Sequence, residues 1–139
     1  MKIIQILYYF AAAIAALGAL YQYWQNSRRE RAKWAVQLYE KFYEANHYKS
    51  TREKLDCVPN AIEVAQLVAE ESTDFTDYLN FFEMVGYLAK KKQLRTEDAL
   101  SLFQYYLRCL KQHDEVMKYL GNKEKGYEQL REFLMDNNL

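Results

Sequence analysis

The chain has 139 residues, and its 19 basic and 19 acidic side chains give a formal net charge of zero at pH 7. Proteins that bind nucleic acid usually carry a basic surface, so this balance gives no reason to expect a nucleic-acid partner. One proline and four glycines are too few turn residues for a β-rich fold. The composition therefore predicts an all-α protein.

A long uncharged segment, Ile3 to Trp24, begins almost at the N-terminus. A helix of this length extends about 33 Å, which matches the hydrocarbon core of a bilayer at about 30 Å. Aromatic rings, which prefer the headgroup level, lie toward both ends of the segment: Tyr8, Tyr9, Phe10, Tyr21, Tyr23 and Trp24. We predict one transmembrane helix, with residues 1–27 as the anchor and residues 28–139 as a helical domain.

Two other interpretations of this segment stay open. It could be a cleaved secretory signal, because the small residues around Ala16 to Ala19 resemble a cleavage site. Its basic residues mostly follow the apolar run, however, and positive charge there resists translocation. It could also be a core helix of a soluble protein, although core helices rarely run so far without a charge.

The basic residues around the anchor predict its orientation. Only Lys2 precedes the apolar run, whereas four cations follow it: Arg28, Arg29, Arg31 and Lys33. Because such flanks stay on the cytoplasmic side, we predict a single-pass protein of the inner membrane with a cytoplasmic C-terminal domain. The same cations suit the anionic headgroups of the lipid bilayer. In a reducing cytoplasm Cys57 and Cys109 are expected to be free thiols, and a disulfide would mean that the orientation is wrong.

No turn signal separates Trp24 from Asn46, so the transmembrane helix is expected to continue into a small bundle of about five or six helices. The segment Phe75 to Ala89 is apolar almost all round, which predicts a central helix buried on every side. Gly86 lowers the stability of that helix and suggests that a neighbouring helix approaches closely there. Thr73 or Asp74 could cap this central helix, and polar residues that could cap other helices are Ser50, Asn60 and Thr96.

The sequence contains none of the common motifs for phosphate binding, redox chemistry or hydrolysis. We therefore expect no enzyme activity, no catalytic residue and no cofactor. A metal site is not expected either, because His47, His113 and the two cysteines are irregularly spaced for zinc. Glu83 is the group that needs an explanation, since burying an unpaired carboxylate is costly. An internal ion pair or a tyrosine hydrogen bond would satisfy it; alternatively, Asn80 and Glu83 contact a partner or ligand.

Small residues recur along one face of the anchor. Ala11, Ala15, Gly18 and Gln22 follow each other at steps of four, three and four, which places them together on a helix. Small side chains let two helices approach closely in lipid, so this face predicts a homo-oligomer. The competing interpretation is that the alanines only fill an apolar span while Gln22 reaches water at the headgroups.

The run from Asp77 to Gly86 reads Asp-Tyr-Leu-Asn-Phe-Phe-Glu-Met-Val-Gly, and Leu88, Leu94 and the segment Phe103-Gln104-Tyr105-Tyr106 follow it. This pattern resembles a bacterial family of small membrane-anchored helical domains with no assigned function. The resemblance covers roughly residues 28–134. This sequence departs from the family pattern at Lys91-Lys92-Gln93, where the resemblance leads us to expect a turn with a glycine. The resemblance implies buried positions at Asn80, Phe82 and Glu83, and it implies no activity.

Three functions are compatible with these features. The first is a membrane-tethered interaction or scaffold module that docks an unidentified protein partner or a second copy of itself. The alternative is an oligomerising effector of a defence system, which disrupts the membrane on sensing a signal. The second alternative is a small-ligand sensor with a pocket in its aromatic core.

Overall fold

The computed structural model describes residues 2–56, 61–137 and 139 of the chain. Helices account for 88% of the structure, and the described residues contain no strand, which confirms the all-α prediction. Seven α-helices and one short 3₁₀ turn follow each other in these residues: α1 Lys2–Glu44, α2 Asn46–Lys54, α3 Ala61–Glu70, α4 Thr73–Lys90, α5 Thr96–Gln112, α6 Asp114–Gly121, the turn Lys123–Lys125 and α7 Glu128–Asp136.

Helix α1 is continuous from the apolar segment into the domain, as the absence of a turn signal predicts. The chain nevertheless divides into two compact units, Met1–Trp34 and Ala35–Leu139. The predicted boundary between residues 27 and 28 marks the end of the apolar segment, which is a different criterion, and it stays a prediction. Six further helices complete the second unit, in agreement with the expected five or six.

A cluster of aromatic rings forms the centre of the second unit. Phe42, near the end of α1, is completely buried. Its ring centroid lies 4.8–5.6 Å from those of six neighbours: Tyr48, Tyr78, Phe81, Phe82, Phe103 and Tyr106. Offset and edge-to-face contacts at these distances stabilise a core beyond simple burial. The C-terminal end of α1 is thereby part of the hydrophobic core.

Helix α4 runs through the unit and packs against α2, α5 and α7. Its buried residues include Phe75, Tyr78, Phe82 and Val85, so it is central as predicted. It is not buried on every side, because Asn80, Met84 and Tyr87 are exposed. These three residues lie at steps of four and three and therefore share one face. The expectation of a fully enclosed helix is wrong since the helices packed against α4 leave this strip uncovered.

Most predicted caps differ from those in the structure. Ser72 caps α4, where its hydroxyl accepts a 3.3 Å hydrogen bond from the Phe75 N–H, so Thr73 and Asp74 belong to the first turn. Ser50 lies inside α2, which begins at Asn46 without a side-chain cap. Thr96 is the first residue of α5, and no side chain caps that helix. Asn60, the other predicted cap, lies outside the described residues.

The turn after α4 has the geometry expected of a glycine, although the residue is Lys92. Its φ of 57° is in the left-handed region. The Lys92 N–H bonds to the Ala89 carbonyl, and the Gln93 N–H bonds to the Leu88 carbonyl, both at 3.0 Å. This pair of bonds is the Schellman arrangement that ends many helices. The chain therefore forms the expected turn with Lys92 in place of a glycine.

Cys109 lies on α5, where it is buried and disulfide-bonded. The expectation of a free thiol is therefore wrong for Cys109. Cys57, the other cysteine of the sequence, lies outside the described residues. Disulfides persist in oxidising compartments, so this bond argues against the cytoplasmic orientation that the basic flank favours.

Candidate functional site

The N-terminal part of α1 presents a wide apolar surface. Its most apolar window of 18 residues has a mean hydropathy of 1.7, and none of that window is buried. Large side chains along it are 60–66% exposed: Ile6, Leu7, Ile14, Leu17 and Leu20. A helix in a soluble core is mostly buried, unlike this one, whereas a signal sequence near the N-terminus has the same length and composition. The helix is long and apolar enough to cross a membrane.

The predicted ends of the span, Ile3 and Trp24, both lie within α1, and the side chain of Ile3 is outside the described part. The Arg28 guanidinium lies over the Trp24 ring, 4.7 Å from its centroid. This cation–π contact holds a positive charge beside an aromatic ring that favours the headgroup level.

The other basic residues of the flank differ in their contacts. Arg31 donates a 3.1 Å hydrogen bond to a backbone carbonyl one turn earlier. Lys33 pairs at 3.2 Å with an exposed glutamate three residues before it. Arg29 is exposed. Arg28 and Arg29 are therefore the two members of the flank best placed to meet lipid headgroups, and that role stays a prediction.

The predicted oligomer face is accessible in a single chain. Ala11, Ala15, Gly18 and Gln22 are all exposed. A side chain added at Gly18 would meet no atom within 4 Å. A second helix could therefore approach this face without displacing any part of its own unit, although self-association itself stays a prediction.

Glu83 has a partner that the sequence did not reveal. Its two carboxylate oxygens accept hydrogen bonds from the backbone N–H groups of Gln129 at 3.0 Å and Leu130 at 2.7 Å. These residues are the second and third of α7, so the carboxylate lies against the positive end of a helix dipole. The expected ion pair or tyrosine hydrogen bond is replaced by this contact with the backbone of α7.

Helix α7 needs such a contact because it has no cap of its own. The residue before it is Tyr127, which makes no side-chain capping bond. The first N–H groups of a helix have no partner within the helix, and Glu83 supplies two acceptors from a different helix. A sequence signal did exist: no Ser, Thr, Asp or Asn stands at position 127. The acceptor lies on α4, three helices earlier in the chain, so that signal could not identify it.

Gly86, one turn after Glu83, lets α4 and α7 approach closely. A Cβ atom at this position would lie 2.7 Å from the Gln129 carbonyl oxygen and 3.2 Å from the Leu130 backbone nitrogen. The close approach predicted from the sequence is confirmed, and α7 is the neighbouring helix. We call Glu83, Gly86 and the first turn of α7 the α4–α7 junction.

The structure separates the two residues proposed to meet a partner or ligand. Asn80 is exposed, so its predicted burial is wrong, whereas Phe82 is completely buried as expected. Glu83 is half-buried and bound to α7. Asn80 belongs to the open strip of α4 with Met84 and Tyr87, and Glu83 belongs to the α4–α7 junction. A contact of either residue with a partner stays a prediction.

Burial also affects two tyrosines near this junction. Burial raises the pKa of Tyr127 to about 12, and a contact with Tyr119 adds to the effect. Their ring centroids lie 5.9 Å apart. Burial raises the pKa of Tyr119 as well, so both phenols stay protonated at physiological pH and act as neutral parts of the fold.

Two open clefts, of about 410 Å³ and 250 Å³, lie along α7. The smaller cleft is lined in part by Gly86, Lys90 and Glu132. Lys90 and Glu132 form an ion pair at 2.6 Å. The rings around Phe42 line neither cleft. Within the described part of the chain, no group of three or more His, Cys, Asp or Glu side chains is placed to hold a metal ion.

Comparison with known families decides where the chain belongs. The family described as Domain of unknown function (DUF4760) matches residues 9–97, which is more than half of the chain. The chain is a member of the DUF4760 family. The resemblance to a helical family without an assigned function is thereby confirmed. No curated protein and no solved structure matches the chain.

The matched range differs from the one expected. It begins inside the apolar segment, at residue 9, and ends in the first turn of α5, at residue 97. Glu83 and Gly86 lie inside the DUF4760 match, while Gln129 and Leu130 lie beyond it. The α4–α7 junction therefore joins the matched part of the domain to helices that follow it.

Proposed function

We propose that this DUF4760 protein is a membrane-tethered helical interaction module of a bacterial inner membrane. The unburied apolar window of α1 carries the proposal. An exposed surface with a mean hydropathy of 1.7 is stable in water only when lipid or another chain buries it. The continuation of α1 into the aromatic core supports a permanent tether, since Phe42 belongs to the same helix.

The interaction role draws support from the open strip of α4. Met84 and Tyr87 are 39% and 47% exposed, whereas nine of the 18 residues of this helix are buried. Two large apolar side chains exposed next to each other support a surface that a protein partner covers. We expect no enzyme activity, since neither the sequence motifs nor the α4–α7 junction provides a nucleophile with a base.

The domain is proposed to lie on the cytoplasmic side. Four cations follow the anchor, and such flanks act while the helix inserts, before any disulfide can form. The bond at Cys109 favours the opposite side, so the orientation needs a direct measurement. A fluorescent protein fused after Leu139 should fluoresce, and alkaline phosphatase at the same position should be inactive. Active phosphatase would overturn the cytoplasmic orientation and agree with the disulfide.

Self-association through the anchor is tested by crosslinking in the membrane. A cysteine at Ala11, in a chain whose own cysteines are replaced by serine, should crosslink between copies if the small-residue face is an interface. Ala15→Leu with Gly18→Leu should abolish the crosslink, because the bulky side chains keep the helices apart. The matched control is Ala13→Leu with Ala16→Leu, which changes the opposite face. Equal crosslinking in all three chains would contradict the proposed face.

A further inference from the structure

Arg52 lies among tyrosines at the place where α2 meets the end of α1. We call Arg52, Tyr39, Tyr43, Tyr78 and Tyr106 the Arg–Tyr cluster. The guanidinium carbon of Arg52 lies 4.9 Å from the centre of the Tyr43 ring. Tyr39 stacks on Tyr43, with centroids 5.8 Å apart and planes 20° from parallel. The cluster thus combines one cation with a stacked pair of aromatic rings.

The helix end accounts for only part of the hydrogen-bonding capacity of Arg52. One terminal nitrogen donates to the Phe42 carbonyl at 2.9 Å and the other to the Tyr43 carbonyl at 3.3 Å. These carbonyls belong to the last turn of α1, where a cation is favourable. A guanidinium carries five N–H groups, and the hydrogen bonds to described residues use two of them. Among the described residues, no carboxylate lies within ion-pair distance of Arg52.

The phenols of the cluster add neutral hydrogen-bond donors. Burial raises the pKa of Tyr106, and the charge of Arg52 opposes this shift without cancelling it. The same two influences act on Tyr78, whose pKa also rises. A phenol that stays protonated can donate to an oxyanion. Tyr78 is completely buried, so the half-buried Tyr106 is the phenol that can donate to a ligand beside the positive charge.

Apart from Tyr78, which is a core residue, the members of this cluster are accessible to solvent. Tyr43 is 58% exposed, and Arg52, Tyr39 and Tyr106 are half-buried. Asp56 borders the cluster through the Tyr105 hydroxyl, which donates to its carboxylate. Because Arg52 is only half-buried, part of its guanidinium stays accessible to a small ligand.

We propose that the Arg–Tyr cluster binds a phosphate group. The planar fork of arginine matches the oxygens of a phosphate, and a phenol can donate to a further oxygen. The phosphate could belong to a soluble ion or to a lipid headgroup, because both present the same oxygens. The site is independent of the proposed interaction role and lies where α1 enters the domain core.

The test is a titration of the full chain in nanodiscs of phosphatidylcholine, with ¹⁵N-labelled arginine. Inorganic phosphate is added at constant ionic strength, and the shift of the Arg52 side-chain signal gives the Kd. A second series uses discs that contain phosphatidic acid, without free phosphate. Saturable shifts in the first series support a soluble phosphate, and shifts in the second support a headgroup. No saturable shift in either series would overturn the proposal.

Variants separate binding from the structural role of Arg52. Arg52→Lys keeps a cation at the end of α1 but loses the fork, so the Kd for phosphate should rise at least tenfold. Tyr106→Phe keeps the ring in the core and should raise the Kd about threefold to tenfold. Here binding is followed by calorimetry, since the Arg52 signal is lost in the first variant.

Lys91→Gln is the matched control, because Lys91 also lies over a tyrosine ring, at 5.8 Å from Tyr87. Its Kd should equal that of the parent chain. A Kd unchanged by Arg52→Lys and Tyr106→Phe would mean that Arg52 only ends α1.

Discussion

Glu83 shows how a single residue can replace a missing cap. Helix α7 begins after a tyrosine, and its first N–H groups find their acceptor on α4 instead of in their own turn. The contact fixes both the start of α7 and its distance from α4. Gly86 has the complementary role, because the absence of a side chain lets the two backbones meet.

The first prediction concerns the charge at this contact. Glu83→Gln keeps the shape but leaves one oxygen for two backbone donors, so one N–H of α7 loses its acceptor. We expect the free energy of unfolding to fall by about 1–3 kcal/mol. Chemical denaturation followed by circular dichroism measures the change. Glu132→Gln is the control, because this residue forms an exposed ion pair with Lys90 and should leave stability nearly unchanged. Equal effects of the two variants would contradict the capping role.

The second prediction concerns the space at Gly86. Alanine has the higher helix propensity, but its Cβ would lie 2.7 Å from a backbone oxygen of α7. We expect Gly86→Ala to lower the free energy of unfolding by about 1–3 kcal/mol, as overpacking usually does. Gly121→Ala is the control, since a Cβ at that position meets no atom within 4 Å. A stabilising effect of Gly86→Ala would show that α4 and α7 are further apart.

Among the helices, α4 organises the domain through two unlike faces. One side contributes Phe82, Tyr78 and Phe81 to the rings around Phe42. The other side exposes Asn80, Met84 and Tyr87. A helix that is part of the core yet open along one strip can stabilise the fold and still present a surface to a partner.

The third prediction compares these two faces. Phe82→Ala should lower the free energy of unfolding by about 3–5 kcal/mol, because it removes a completely buried ring. Tyr87→Ala changes a ring on the open strip and should cost less than about 1 kcal/mol. Denaturation of both variants in the same detergent gives the comparison. A loss for Phe82→Ala no larger than that for Tyr87→Ala would place this ring outside the core.

The predictable part of the fold is the part that local pattern determines. The length of the charge-free segment predicts a long α1, and the small number of turn residues predicts the helical class. The dense apolar spacing between Phe75 and Ala89 predicts the central place of α4. The partner of Glu83 could not be predicted, because it is a backbone group of α7, a helix distant in the sequence. The open strip at Asn80 is not predictable from local pattern either, since which face of α4 stays uncovered depends on how the other helices pack.

Caps were the least predictable features among the helices. The sequence predicts Thr73 or Asp74 as the cap of α4, whereas Ser72 is the cap, because three neighbouring polar residues offer equivalent caps and the backbone selects one. The turn expected after α4 is present, but Lys92 occupies the left-handed position instead of a glycine, because the backbone can adopt this geometry with another residue.

At the scale of the whole molecule, the account depends on what α1 does. One half of this helix is apolar and unburied, and its last turns carry Phe42 into the core of the domain. If the apolar half stays attached in the cell, the domain is held at a membrane surface. If it is removed, the domain is released without an anchor.

The most direct test is to extract bacterial membranes with alkaline carbonate and measure the intact mass of the protein that remains. We predict that the chain stays in the membrane pellet at its full mass of 16.7 kDa, because an inserted helix resists carbonate whereas a peripheral protein does not. A soluble fragment that begins near Tyr21 would contradict the account and identify the segment as a cleaved signal.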